Sequence, residues 1–128
     1  MHTCLSLCFG ASLGALLRYA ISFWNGKQSL FPLGTLCANL LGAFLAGFFC
    51  ALLLAHPSLE RFRPFLMTGF LGALTTFSTF SLEVYAMLEA GRILQAFFCV
   101  TSHVLGSLAM TFLGFLSFRL LIQLGGGE

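Results

Sequence analysis

Gly69-Phe-Leu-Gly-Ala-Leu-Thr-Thr-Phe-Ser-Thr-Phe-Ser81 lies in the middle of an apolar segment long enough to span a membrane. Five hydroxyls fall within seven residues here (Thr75, Thr76, Ser78, Thr79, Ser81), with Phe77 and Phe80 among them and Gly69 and Gly72 ahead of them. A helix facing lipid has no use for such a run. Polar side chains and broken backbone are tolerated at membrane depth only where protein or a water-filled cavity receives them. Irregular backbone in that place can aim carbonyl oxygens or amide groups at an ion. The run therefore predicts one membrane span interrupted at its centre, with the remaining spans arranged around the interruption.

Composition agrees with that reading. The 128 residues are 59% hydrophobic and 8% charged, with a mean hydropathy of +0.98, which places the chain among integral membrane proteins. A spanning helix takes roughly 20 residues, so four helices and short loops account for the whole chain. They leave no room for a soluble catalytic domain. The net charge of +2 is small and dispersed, which argues against a nucleic-acid partner. The five cysteines (Cys4, Cys8, Cys37, Cys50, Cys99) are scattered through apolar stretches without metal-ligand spacing, and read as small buried hydrophobes. No Lys or Arg precedes the first apolar run, and that run exceeds a signal-peptide core, so a first span rather than a cleaved leader is expected.

The expected spans are residues 3–23, 32–55, 64–88 and 93–123. The first carries the close-packing pair Gly10 and Gly14, then Arg18, with Tyr19 and Trp24 suited to an interface. A polar 25–29 loop follows. The second begins near Pro32, a good first-turn residue, and is rich in Gly and Ala, with Asn39 its strongly polar side chain. The 56–63 loop is the most charged part of the chain. The third holds the interruption, with Glu83 less than one turn beyond it. The fourth places His103, Ser107 and Thr111 on one face, flanked by Gly106 and Gly114, and is expected to end in a loose glycine tail.

Arginine and lysine fall three on each side of four alternating spans: Arg61, Arg63 and Arg119 against Arg18, Lys27 and Arg92. The positive-inside rule then sets no orientation. A chain inserted both ways can pair with itself as an antiparallel dimer, which recreates the inverted-repeat symmetry of larger transporters.

The chain resembles the small fluoride channels of bacteria, the Fluc or CrcB family. The matching segments are Gly14-Ala-Leu-Leu-Arg18, Gly34-Thr-Leu-Cys-Ala-Asn39, Gly69 to Ser81, and Gly106-Ser-Leu-Ala-Met-Thr111, one in each span. The resemblance implies a passive, fluoride-selective channel in the bacterial inner membrane. It would be an antiparallel homodimer in the lipid bilayer, with two pores and a structural sodium ion at the dimer centre. It implies pore-lining roles for Phe77 and Phe80, a fluoride donor in Asn39, and a polar track including Thr79 and Ser107. Arg18 would stand at the vestibule, and the backbone carbonyls of Gly72 and Thr75 would hold the sodium. Cys99 stands where some members carry a tyrosine near the pore end.

The residue types suit that chemistry. Asn39 offers two N–H donors. A phenyl ring has a positive edge that can meet an anion, and weak contacts of this kind favour conduction over trapping. Packing and interhelical hydrogen bonding are the ordinary alternatives for Phe77, Phe80 and Asn39. An arginine near a pore mouth concentrates anions. Glu83 needs a partner, either Arg18, a neighbour across a dimer, or water. His103 either bonds between helices or lines a vestibule. No nucleotide-binding, triad or metal-cluster motif is present in the sequence, so an enzyme is not expected. Two other classes fit the outline: a small dual-topology multidrug exporter, and an accessory subunit of a larger membrane complex. The exporter needs a carboxylate in the first span, where this chain has Arg18. The accessory subunit leaves the hydroxyl run without a purpose.

Overall fold

The computed structural model describes residues 2–23 and 31–125. Trp24, the 25–29 loop with Lys27, and the end of the glycine tail lie outside the described residues. The described residues form helices and turns without a strand. Four segments are long and apolar enough to cross a membrane: Thr3–Ser22, Leu33–Ala55, Pro64–Glu89 and Ile93–Gly125.

Helix α1 is His2–Ser22 and α2 is Leu33–Ala55. A short tight turn, Pro57–Phe62, leads from α2 to the third span. That span comes in two halves. Its first half, α3, opens with wide π-type turns over Pro64–Leu71 and closes as Gly72–Leu74. Its second half, α4, is Phe77–Glu89. Gly91, at φ +70°, then turns the chain into α5, Ile93–Gly125. Around it the Gly91 amide donates to the Leu88 carbonyl (2.9 Å) and the Arg92 amide to the Met87 carbonyl (2.8 Å). Those are the two bonds that satisfy the last carbonyls of a glycine-ended helix. Helix α5 runs on to Gly125, so the first glycine of the expected tail is helical.

Two glycine seams hold the bundle. Gly10 and Gly14 of α1 meet α3 backbone to backbone. A Cβ on Gly14 would collide with the Phe70 carbonyl and lie 3.0 Å from the Leu74 amide nitrogen. Gly69 returns the contact, facing the Leu7 carbonyl and Ala11 amide. In the second seam Gly47 of α2 abuts the Thr111 carbonyl, and Gly114 of α5 abuts the Phe44 carbonyl. Small residues allow this approach, and in lipid such packing is the main source of helix association.

Two buried clusters lie beside the interruption. Ala38, Leu71 and Leu74 form one, and Phe80, Met87, Ala96 and Cys99 the other. The cysteine expectation needs correcting. Only Cys99 is buried; Cys4 and Cys8 are exposed, and Cys37 and Cys50 are intermediate, all five free. The two on α1 project from a face that none of the described residues covers.

Candidate functional site

The interruption spans two residues. Thr75 (φ −82°, ψ 152°) and Thr76 (φ −147°, ψ 113°) are extended between two helical halves. Leaving the helix strips backbone groups of their partners, and buried unpartnered groups are costly. Side chains repair part of that loss. Thr75 returns both its amide and its hydroxyl to the Leu71 carbonyl, each at 3.0 Å. Thr76 caps α4: its hydroxyl oxygen accepts from the Thr79 amide at 3.2 Å and donates to the Thr79 hydroxyl at 2.9 Å.

Asn39 reaches across from α2 and closes the gap. The Thr76 amide donates to Asn39 Oδ1 at 2.7 Å, and Asn39 Nδ2 donates to the Thr76 carbonyl at 3.2 Å. The side-chain amide thus pairs with extended backbone much as a neighbouring strand would. One Nδ2 hydrogen remains for another acceptor.

These bonds free two carbonyls. In an unbroken helix the Gly72 carbonyl would take the Thr76 amide, and the Thr75 carbonyl would take the Thr79 amide. The first amide is held by Asn39 and the second by the Thr76 hydroxyl. Gly72 and Thr75 therefore end α3 with oxygens released from the ladder, hard donors suited to a small hard cation. The donor set fits sodium, with one chain supplying two oxygens. The opposite side of the interruption is the start of α4, whose first amides and positive dipole end favour an anion.

Two cavities meet at Thr76, which lines both and is 8% exposed. The larger, about 450 Å³, brings together Asn39, Gly72, Thr75, Phe77, Phe80 and Ser107, with His103 beside them. The smaller, about 380 Å³, collects Arg18, Thr35 and Thr79. The structure thus gathers every sequence-predicted site residue around the interruption, but in two groups: Thr79 sits with Arg18, and Ser107 with the phenylalanines. Phe77 and Phe80 lie 5.4 Å apart between ring centres, tilted by 55°. They differ in cover, with Phe80 8% exposed and Phe77 78% exposed in the single chain.

The roles of Thr35 and Thr76 and the partner of Glu83 escaped the sequence reading. The Thr35 hydroxyl donates to Glu83 Oε1 at 2.6 Å, while Glu83 Oε2 is buried without a partner among the described residues. Glu83 thus pairs with a hydroxyl of α2 rather than with Arg18. Thr35 stands one helical turn before Asn39, a spacing that puts both on one face, and that was the available signal. Among the described residues His103 makes no hydrogen bond to another helix. Its Nδ1 lies 2.9 Å from the Cys99 carbonyl of its own helix, and its ring packs at 4.4 Å on Phe80.

Comparison with known proteins covers nearly all of the chain. A family model described as CrcB-like protein, Camphor Resistance (CrcB), matches residues 5–115. A protein of Chromohalobacter salexigens named fluoride-specific ion channel FluC is 52% identical over 119 residues, 91% of this chain and 90% of its own. Proteins of the same name are similar from Albidiferax ferrireducens (46% identical, 89% of this chain and 88% of the relative) and Pseudomonas syringae pv. maculicola (43%, 94% and 97%).

Proposed function

The chain belongs to the CrcB family, and on that premise we propose that it is a passive fluoride-selective channel of the bacterial inner membrane, letting fluoride leave the cytoplasm down its electrochemical gradient. The observation that carries the reading is the interrupted third span, with Asn39 bound to both polar groups of Thr76 and two phenylalanines in the adjoining cavity. Such a cavity offers an anion few strong contacts: one remaining amide hydrogen, the edges of Phe77 and Phe80, and the Ser107 hydroxyl. Each is weak enough to release the ion, which conduction requires. Arg18, in the cavity on the far side of Thr76, supplies the positive potential that gathers anions at a mouth.

The reading extends to an antiparallel homodimer with two pores. Phe77 is 78% exposed in one chain although it lines the site, and a second copy is the economical cover for it. The balance of basic residues permits both orientations. Two copies related by a two-fold axis would bring four carbonyls of Gly72 and Thr75 together. When bound there, a sodium ion would neutralise those converging dipoles and tie the two interruptions together.

The test is fluoride efflux from liposomes holding only the purified protein, with the voltage set by a potassium gradient and valinomycin. Voltage-driven fluoride loss without chloride loss is expected. Absence of efflux from folded dimer overturns the channel. A monomer by light scattering, or labelling of a cysteine placed in the 56–63 loop from one membrane side only, overturns the antiparallel assembly.

A further inference from the structure

Gly42 follows Asn39 by three residues on α2, a spacing that puts both on one face. Between them they meet the two residues of the interruption. Asn39 holds the polar groups of Thr76. Gly42 is buried and receives the side chain of Thr75. A Cβ on Gly42 would collide with one atom, the Thr75 Cγ2 methyl. Its next neighbours, Thr75 Cβ at 3.7 Å and Leu74 Cδ2 at 3.8 Å, stand at ordinary contact distance. The obstruction is thus a single methyl group. At Gly14, Gly47 and Gly114 the missing Cβ makes room for backbone instead.

That methyl cannot simply turn away. The hydroxyl and methyl of a threonine fill two of the three staggered positions about Cα–Cβ. Here the hydroxyl points to the Leu71 carbonyl at 3.0 Å, and the methyl points to Gly42. Turning the side chain by one position in one sense puts the hydroxyl against residue 42. Turning it in the other sense puts the hydrogen there, but carries the methyl into the place of the hydroxyl, against the Leu71 carbonyl. On this backbone, with any side chain at residue 42, no rotamer of Thr75 keeps its bond to Leu71.

The bond matters because of the carbonyl that follows it. The Thr75 carbonyl and the Thr76 amide belong to one planar trans peptide and point opposite ways. Asn39 takes the amide, so it aims the Thr75 carbonyl away from itself. The near end of the same peptide is Thr75 Cα, held through its amide and hydroxyl on the Leu71 carbonyl. Asn39 therefore sets the direction of the oxygen, and Gly42, through the Thr75 rotamer, sets where it stands. We propose that Gly42 is a positioning residue for a cation at the Thr75 carbonyl: the space it leaves for the Thr75 methyl keeps that oxygen where sodium takes it in the dimer. The inference rests on the sodium reading above.

The experiment is the thermal midpoint of the purified dimer against sodium concentration, with a bulky organic cation making up the ionic strength. Wild type is expected to gain stability as sodium rises. Gly42→Ala is expected to need roughly tenfold or more sodium for half of that gain, the cost of disturbing groups that orient a metal ligand. Thr75→Ser removes the methyl and keeps the hydroxyl. In that background Gly42→Ala is expected to cost nothing, so the double variant should match Thr75→Ser. Packing alone would instead lower the midpoint of Gly42→Ala equally at every sodium concentration. That outcome, or a double variant as impaired against Thr75→Ser as Gly42→Ala is against wild type, overturns the inference and leaves the sodium site standing. If Gly42→Ala yields no dimer, the double variant decides: recovery with the sodium response of Thr75→Ser supports the inference, and failure overturns it. A wild-type midpoint indifferent to sodium overturns the sodium reading and the inference together.

Discussion

The glycine seams and the Thr75–Thr76 interruption set backbone against backbone by opposite means. In the seams two helices approach until backbone carbonyl and amide groups of one stand where a glycine Cβ of the other would be. At the interruption the ladder is opened and side chains answer part of what is loosened: Asn39 takes both polar groups of Thr76 and the Thr76 hydroxyl takes the Thr79 amide, while the carbonyls of Gly72 and Thr75 stay released. The seams tolerate no added atom, whereas the interruption depends on particular ones. Position is held in one region so that polarity can be spent in the other.

Damage to a seam should therefore be the most severe change. Gly14→Val puts its Cβ into the Phe70 carbonyl. Backbone cannot swing aside as a side chain does, so the cost should exceed the usual ~1–3 kcal/mol of overpacking. Loss of monodisperse protein in size-exclusion chromatography is the expected result. Normal recovery with normal flux would erase the distinction between the two regions.

Asn39→Ala strikes the interruption instead. It leaves the Thr76 amide and carbonyl unanswered, at about 1–3 kcal/mol for each buried group. The protein should still be recovered, with a lowered thermal midpoint and fluoride efflux lost. Full efflux from this variant would show that the interruption holds its shape without the clamp.

Sodium withdrawal separates the regions most finely. On the proposed sodium site, replacing sodium by a bulky organic cation would leave the seams untouched and remove a ligand from the carbonyls of Gly72 and Thr75. Stabilisation by a site saturated a hundredfold is about 2.7 kcal/mol, so the thermal midpoint of the dimer should fall in wild type. An unchanged midpoint would remove sodium from the account of the interruption.

The regions also differ in how plainly the amino-acid pattern spoke of them. Gly10 and Gly14 announce a seam by spacing alone, and the hydroxyl run from Thr75 to Ser81 announces a break by its chemistry. Both needed only one segment of chain. What stayed hidden needed two. The paired hydrogen bonds of Asn39 with Thr76, the pairing of Thr35 with Glu83, and the separation of Thr79 from Ser107 all depend on how far one helix is rotated against another. A residue's own neighbours carry no record of that angle. The wide turns of Pro64–Leu71 contribute to the difficulty: they shift the phase of everything after them, so helical spacing counted from Pro64 does not give the faces of α3. His103 shows the same limit. Its spacing with Ser107 was visible, but the carbonyl its Nδ1 faces belongs to the turn before it, and only the folded ring reveals which nitrogen is left over.

Viewed from the gene, the seams carry a particular exposure. Glycine codons share their first two bases, and every single-base change that alters their meaning installs a residue with a β-carbon or stops translation. At Gly14, Gly47 and Gly114 that carbon meets backbone in every case. These three codons have no mild missense neighbour, so a mutational survey should find them nearly silent in viable clones, even though none of the three lines the larger cavity.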